Sequence, residues 1–164
     1  MNELEIPSGL GLVVFGLDYT LWDAGGTWCD CLTPPFRRSG ERVLDRHESH
    51  VRLYEDVPEI MGALDEAGVP MGLASRTNEP GWARELLELL GVRSRFEIEE
   101  IYPGEKTAHF DELRRQSGFG YEQMLFFDDE TRNIREVRAL GVHCVEVRSG
   151  VNWGEFRRGL GMIG

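Results

Sequence analysis

Residues 12–21 read Leu-Val-Val-Phe-Gly-Leu-Asp-Tyr-Thr-Leu. The run Leu12–Leu17 is apolar without interruption, as expected of a central parallel strand buried on both faces. It delivers Gly16, Asp18 and Thr20 to a strand end. A glycine inside such a strand costs packing and backbone entropy, so Gly16 is out of place on structural grounds alone.

Working outward, strand and helix signals alternate. Asp56 is expected to cap a helix over 57–67, with Glu59 completing a capping box and Gly68 ending it. Residues 69–74 form the next apolar strand. Pro80 opens a helix that runs to Leu90 and stops at Gly91. A weaker strand over 96–102 carries three glutamates. A helix over 107–116 closes at Gly118, and 124–127 is a short buried strand ending at Asp128-Asp129. A helix over 131–140 stops at Gly141, a fifth strand covers 143–147, and a short helix spans 153–160. Five strands with intervening helices imply an α/β three-layer sandwich around a five-stranded parallel sheet, since strand–helix–strand crossovers are right-handed.

Residues 22–53 break the pattern. They hold Pro34-Pro35, several glycines and scattered charge without a period. A loop this long is functional or disordered. With Trp22, Trp28, Phe36 and Leu53 available for packing, it is expected to be an ordered flap over the strand ends, with a hairpin. It is too short for a cap domain, so the crevice is expected to be capless, and the chain to form one domain.

The net charge of −11 argues against a nucleic-acid partner and against anionic membranes. No run approaches the length of a membrane span. The first ten residues carry acidic charge and no long apolar stretch, unlike a secretory leader. Three cysteines do not make a disulfide framework, and a reducing cytoplasm is the expected setting.

In parallel α/β sheets, ligands bind beyond the carboxyl ends of the strands. Polar residues gather there: Asp18 and Thr20, Ser75-Arg76-Thr77, Lys106 and Asp128-Asp129. A pair of carboxylates two positions apart after a buried strand suits phosphoryl transfer. The first attacks phosphorus, and the second protonates the leaving oxygen and then activates water. Asp18 stands in the second place and Gly16 in the first. Lys106 supplies positive charge, Ser75 and Arg76 with nearby amides bind phosphate oxygens at a helix entrance, and Thr20 orients the group at position 16. Asp128 and Asp129 are hard oxygen donors suited to Mg²⁺. No one of these is specific alone; their order, each after its own strand, carries the weight. Two-component receiver domains use similar groups, but there the acidic pair comes first and the lysine last.

The stretches 13–22, Pro-Pro-Phe 34–36, Ala-Ser-Arg-Thr 74–77, Ile-Tyr-Pro-Gly-Glu-Lys-Thr-Ala-His-Phe 101–110 and Phe-Phe-Asp-Asp-Glu-Thr-Arg-Asn-Ile 126–134 resemble those of haloacid-dehalogenase-superfamily phosphatases, and more closely the magnesium-dependent phosphatase one family. The resemblance implies a capless Mg²⁺ phosphatase acting on phosphotyrosine or sugar phosphates through an aspartyl-phosphate. It implies that Asp18 is acid/base and a ligand of Mg²⁺ through its backbone carbonyl, that Ser75 and Lys106 hold phosphate, and that Asp128 and Asp129 bind the metal. The departure is Gly16, where the family pattern has aspartate. Two readings stay open: a phosphatase scaffold impaired at this position, or a non-catalytic binder of a phosphorylated small molecule or protein.

Several residues are set beside this reading. Cys29-x-Cys31 and His47-x-x-His50 offer four zinc donors, although the C-x-C spacing is tighter than zinc fingers use, and unrelated surface positions are the favoured reading. Arg37 and Arg38 are expected to be solvated rather than to reach a ligand. His109 and His143 are read as a helix-face and a strand-edge residue. Trp22 is placed under the flap, with the wall of the substrate pocket as its alternative place.

Overall fold

The computed structural model describes residues 4–164. The first three residues of the leading stretch considered above lie outside the described residues. The alternation of apolar strands and amphipathic helices resolves into strand β1 (Leu12–Phe15), helix α1 (Val57–Glu66), strand β6 (Met71–Ser75), helix α2 (Pro80–Leu89), strand β7 (Phe96–Ile101), helix α3 (Lys106–Ser117), strand β8 (Met124–Asp128), helix α4 (Thr131–Arg138), strand β9 (His143–Glu146) and helix α5 (Trp153–Leu160). The five strands pair in parallel in the order β7-β6-β1-β8-β9.

Strand β1 lies at the centre, and its side chains alternate between two cores. Val13 and Phe15 join Ile60, Met61 and Leu64 of α1, Leu86 and Leu87 of α2, and Phe156 of α5. Leu12 and Val14 join Phe110 and Leu113 of α3 and Ile134 and Val137 of α4. The result is the expected three layers. Burial on both faces explains why β1, β6 and β8 read as unbroken apolar runs.

The edge strand β7 tolerates its glutamates because, among the described residues, one side of it has no strand partner. Glu99 pairs with Arg93 at 2.8 Å and Arg84 at 3.3 Å, and buried Glu100 accepts from Gln116. Gly118 ends α3 with φ of 78°, a left-handed conformation that glycine adopts without strain.

Two local expectations are corrected. Strand β1 ends at Phe15, not Leu17, because the Leu17 carbonyl accepts from the amides of Thr20, Leu21 and Trp22 in a tight turn. Tyr19 sits in that turn at φ 60°. Asp56 does not cap α1: it lacks a capping bond, and its carboxylate instead accepts from the Trp153 amide at 3.0 Å, tying α1 to α5. The remaining element ends differ from expectation by at most two residues. No helix of the described residues is long and apolar enough to cross a membrane.

The flap is an ordered four-stranded antiparallel sheet. It comprises β2 (Trp22–Asp23), β3 (Arg37–Ser39), β4 (Arg42–Leu44) and β5 (His50–Leu53), in the order β2-β5-β4-β3. Leu21, Trp22, Cys29, Leu32, Phe36, Val43 and Val51 dock it onto the first core. Its loops are held by Asp45, whose carboxylate accepts from the amides of Thr33 (2.8 Å), His47 (2.9 Å) and Ser49 (2.9 Å). Burial pushes the Asp45 carboxyl up, but these three N–H donors outweigh it and hold it below the usual carboxylate range.

This lowered value fixes a sign. The stabilisation is present above the unfolded pKa and disappears as pH falls through the folded one. Asp45→Ala is expected to lose about 1.5–3 kcal/mol at neutral pH, the range for hydrogen bonds to a charged group. Urea melts of the two proteins should converge as pH drops below about 4. A gap that persists in acid would mean the loss is not electrostatic.

Candidate functional site

The carboxyl ends of β1, β6 and β8 and the start of α3 meet at one cleft of about 550 Å³. Asp18, Ser75, Arg76, Lys106, Asp128 and Asp129 all line it. Residues from four separate segments thus converge, as the strand-end rule requires.

Asp18 is placed by the turn after β1. Its Oδ1 accepts from Trp22 Nε1 at 2.7 Å and from the Cys29 amide at 2.9 Å. Trp22 is fully buried, so of its two expected places it takes the one under the flap. Burial raises the Asp18 carboxyl above the usual range, opposed by these two donors. The carboxylate therefore turns toward the flap. The Asp18 backbone carbonyl lies 3.4 Å from Thr20 Oγ1, which is itself 3.5 Å from Asp128 Oδ1. Thr20 is fully buried and does not line the cleft, and its hydroxyl faces Asp128.

Lys106 is the first residue of α3, where the helix dipole disfavours a cation. It is only 3% exposed. Its Nζ donates to the Ala74 carbonyl at 2.5 Å and to Asp128 Oδ2 at 3.4 Å, 5.0 Å above the Phe126 ring. Asp128, also 3% exposed, ends β8. Asp129 beside it is half-buried. Burial first, and then the charge of Asp128, push its carboxyl up to about 7.

Ser75 Oγ accepts from the Thr77 amide at 3.3 Å, leaving its own hydroxyl proton free. The expected helix entrance is displaced, since α2 begins only at Pro80. Arg76 lines the cleft, but its Nη1 donates to Asn133 Oδ1 at 3.0 Å. Asn133 was not singled out by sequence reasoning. Its Nδ2 donates to Asp128 Oδ2 at 2.7 Å and to Glu130 Oε2 at 2.8 Å, so it locks the Asp128 carboxylate from α4. Its position one turn into a helix that follows Asp-Asp was the available signal.

Trp28 was expected to pack inside the flap. It is instead 53% exposed and lines the cleft. Cys29, expected at the surface, is fully buried, with its Sγ 3.6 Å from Thr77 Oγ1. Cys31 is exposed. Among the described residues no group of three or more His, Cys, Asp or Glu side chains gathers for a metal ion, so Cys29, Cys31, His47 and His50 form no zinc cluster. The same finding means that the three acids at the cleft do not present three carboxylates to one point. Arg37 pairs with Glu48 and Arg38 bonds the Gly40 and Leu89 carbonyls, both away from the cleft. His109 is fully buried on α3. Its Nε2 lies 2.8 Å from the Ser75 and Tyr102 carbonyls, so it supports the strand end that carries Ser75. His143 opens β9, half-buried, with Nε2 3.1 Å from the Glu122 carbonyl.

The acid phosphatase family pattern matches residues 9–163. The chain belongs to that family. It is 46% identical over 151 residues to magnesium-dependent phosphatase 1 of Homo sapiens, covering 91% of this chain and 84% of the human protein. It is 37% identical over 159 residues to a HAD-like hydrolase superfamily protein of Schizosaccharomyces pombe, covering 89% and 88%. Among solved structures, a HAD family enzyme of Bacteroides thetaiotaomicron in complex with magnesium and inorganic phosphate superposes with a TM-score of 0.65 at 14% identity, covering 90% of this chain and 98% of that one. The fold is that of the haloacid dehalogenase superfamily.

The raised Asp129 carboxyl yields a measurable consequence. A proton competes with any cation held there until pH passes about 7. Divalent-cation affinity by calorimetry should rise about tenfold between about pH 6 and about pH 8, with proton release on binding. A pH-independent affinity would exclude Asp129 as a ligand.

Proposed function

We propose that the cleft is a Mg²⁺-dependent phosphomonoesterase site, built to hydrolyse a phosphorylated small molecule or protein, whose nucleophile position is taken by Gly16. The convergence of Asp18, Ser75, Lys106 and Asp128-Asp129 at one set of strand ends carries this reading. The donor chemistry fits Mg²⁺. Asp128 and Asp129 are adjacent carboxylates, burial first and the Asp128 charge second raise the Asp129 carboxyl to about 7, and the Thr20 hydroxyl lies 3.4 Å from the Asp18 carbonyl and 3.5 Å from Asp128 Oδ1. Asp128, Asp129 and the Asp18 carbonyl would hold the metal. Bound there, it would neutralise charge on the phosphoryl oxygens.

The protein's own groups do the rest. Lys106 has three ammonium protons and two partners, leaving one for a phosphate oxygen. Ser75 offers its hydroxyl proton to another. Asp18, half-buried at the cleft wall with its carboxyl raised, would protonate the leaving ester oxygen. Arg76 and Trp28 also line the cleft. Among the described residues no cap domain covers the mouth, which leaves it open to a bulky ester. Three free thiols, two of them buried, suit a cytoplasmic setting.

A second reading is favoured by one observation: Gly16 carries no group that can attack phosphorus. On that reading the chain binds phosphorylated ligands without turning them over.

The test is hydrolysis of an aryl phosphate by this chain and by Gly16→Asp, with and without Mg²⁺. The aspartate form is expected to exceed this chain in kcat/KM by at least about 10³-fold, the scale of a missing nucleophile. Adding Lys106→Met to the aspartate form should lower kcat by about 10²-fold or more. Inactivity of both forms would favour the binding reading. Comparable turnover by the glycine form would refute the assignment of position 16.

A further inference from the structure

Gly16 is buried and is not part of the cleft wall, whereas Asp128 is. A Cβ on residue 16 would stand 2.5 Å from Asp128 Oδ1 and 3.3 Å from its Cγ. The first is closer than a real Cβ contact allows, so the carboxylate oxygen would have to move; the second is tight. The Asp128 carboxylate therefore occupies space that any side chain at position 16 would claim. Lys106 Nζ, at 3.4 Å from the same Cβ, is in contact without overlap. In this position Asp128 Oδ2 is held by Asn133 Nδ2 at 2.7 Å and by Lys106 at 3.4 Å, and Oδ1 has only the long contact with Thr20 at 3.5 Å.

We infer that residue 16 sets the position of Asp128: glycine lets the Asp128 carboxylate withdraw toward Lys106, and a Cβ at 16 pushes it out toward a metal. This rests on the Mg²⁺ reading above. Asp128 is a short side chain, and what must move is its far end, so a shift about χ1 and χ2 relieves the overlap without disturbing β8. The residue at 16 would then act on metal binding in two separable ways. Aspartate adds a ligand, whereas any side chain, even one without oxygen, returns Asp128 to service. Gly16 on this account positions a ligand rather than being one.

The distinguishing experiment is calorimetric Mg²⁺ binding to this chain, Gly16→Ala and Gly16→Asp, each alone and with Asp128→Asn, and with metal-free thermal melts to establish folding. Gly16→Ala adds no ligand, yet it is expected to bind Mg²⁺ on the order of tenfold more tightly than the glycine form, the scale on which a positioning neighbour tunes metal affinity. Asp128→Asn should weaken binding by tenfold or more in the alanine form and by a clearly smaller factor in the glycine form, a coupling that two independent sites would not show. Equal or weaker binding by Gly16→Ala overturns the inference. If Gly16→Ala does not fold, the glycine form decides alone, because a tenfold loss there on Asp128→Asn means the carboxylate already serves the metal. If Gly16→Asp binds Mg²⁺ and Gly16→Ala gains nothing, the coupling fails while the metal reading stands. If no form binds Mg²⁺, both fail.

Discussion

The buried pair of Lys106 and Asp128 is the contact around which the strand ends are organised. Two opposite charges, each almost wholly removed from water, are costly to bury and more costly to separate, since breaking such a pair leaves an uncompensated charge worth about 3–5 kcal/mol. The remaining hydrogen-bond capacity is met by the Ala74 carbonyl from β6 and the Asn133 amide from α4. Four elements are therefore fixed relative to one another through one ion pair. It also explains a lysine at a helix N-terminus, where the dipole opposes it: the position is dictated by the cleft and not by the helix.

The flap contributes chemistry as well as cover. Through Trp22 and the Cys29 amide it supplies both donors to the Asp18 carboxylate, so the acid is oriented from the flap side and the cleft is walled by Trp28 on the same segment. Position 16 then has a meaning beyond the lack of a carboxylate. Because strand β1 ends at Phe15, Gly16 is the first residue of the bend and faces the end of β8, where absence of a side chain is felt by Asp128. Polar residues at strand ends are coupled by packing, not only by charge.

The sheet, its parallel pairing and the order of helices were legible because burial on both faces writes itself as unbroken apolar runs, as in Leu12–Phe15 and Met124–Phe127. The polar residues at their ends were legible for the same reason, since a side chain that follows such a run must leave the core. The flap sheet was not. Its strands are two to four residues long, and β3 is Arg-Arg-Ser, whose pairing is set by its partner Arg42–Leu44 rather than by any period. The capping box at Asp56 failed for a different reason. A carboxylate can serve any nearby amide, and α5 presented one from 97 positions away.

The three-layer fold, the gathering of Asp18, Ser75, Lys106, Asp128 and Asp129 at the strand ends, and the oddity of glycine at 16 were all set by the order of residues along the chain. These follow from local hydrophobic pattern and from the geometry of parallel sheets. What each group touches depends on the packed layers: the Asp18 carboxylate turns to Trp22 and Cys29, Asn133 holds Asp128, Thr20 is sealed behind the cleft, and Asp128 fills the space beside Gly16. Those contacts join residues from 4 to 112 positions apart. Hydrogen-bond partners at such separations are set by how the layers stack, which no local pattern encodes.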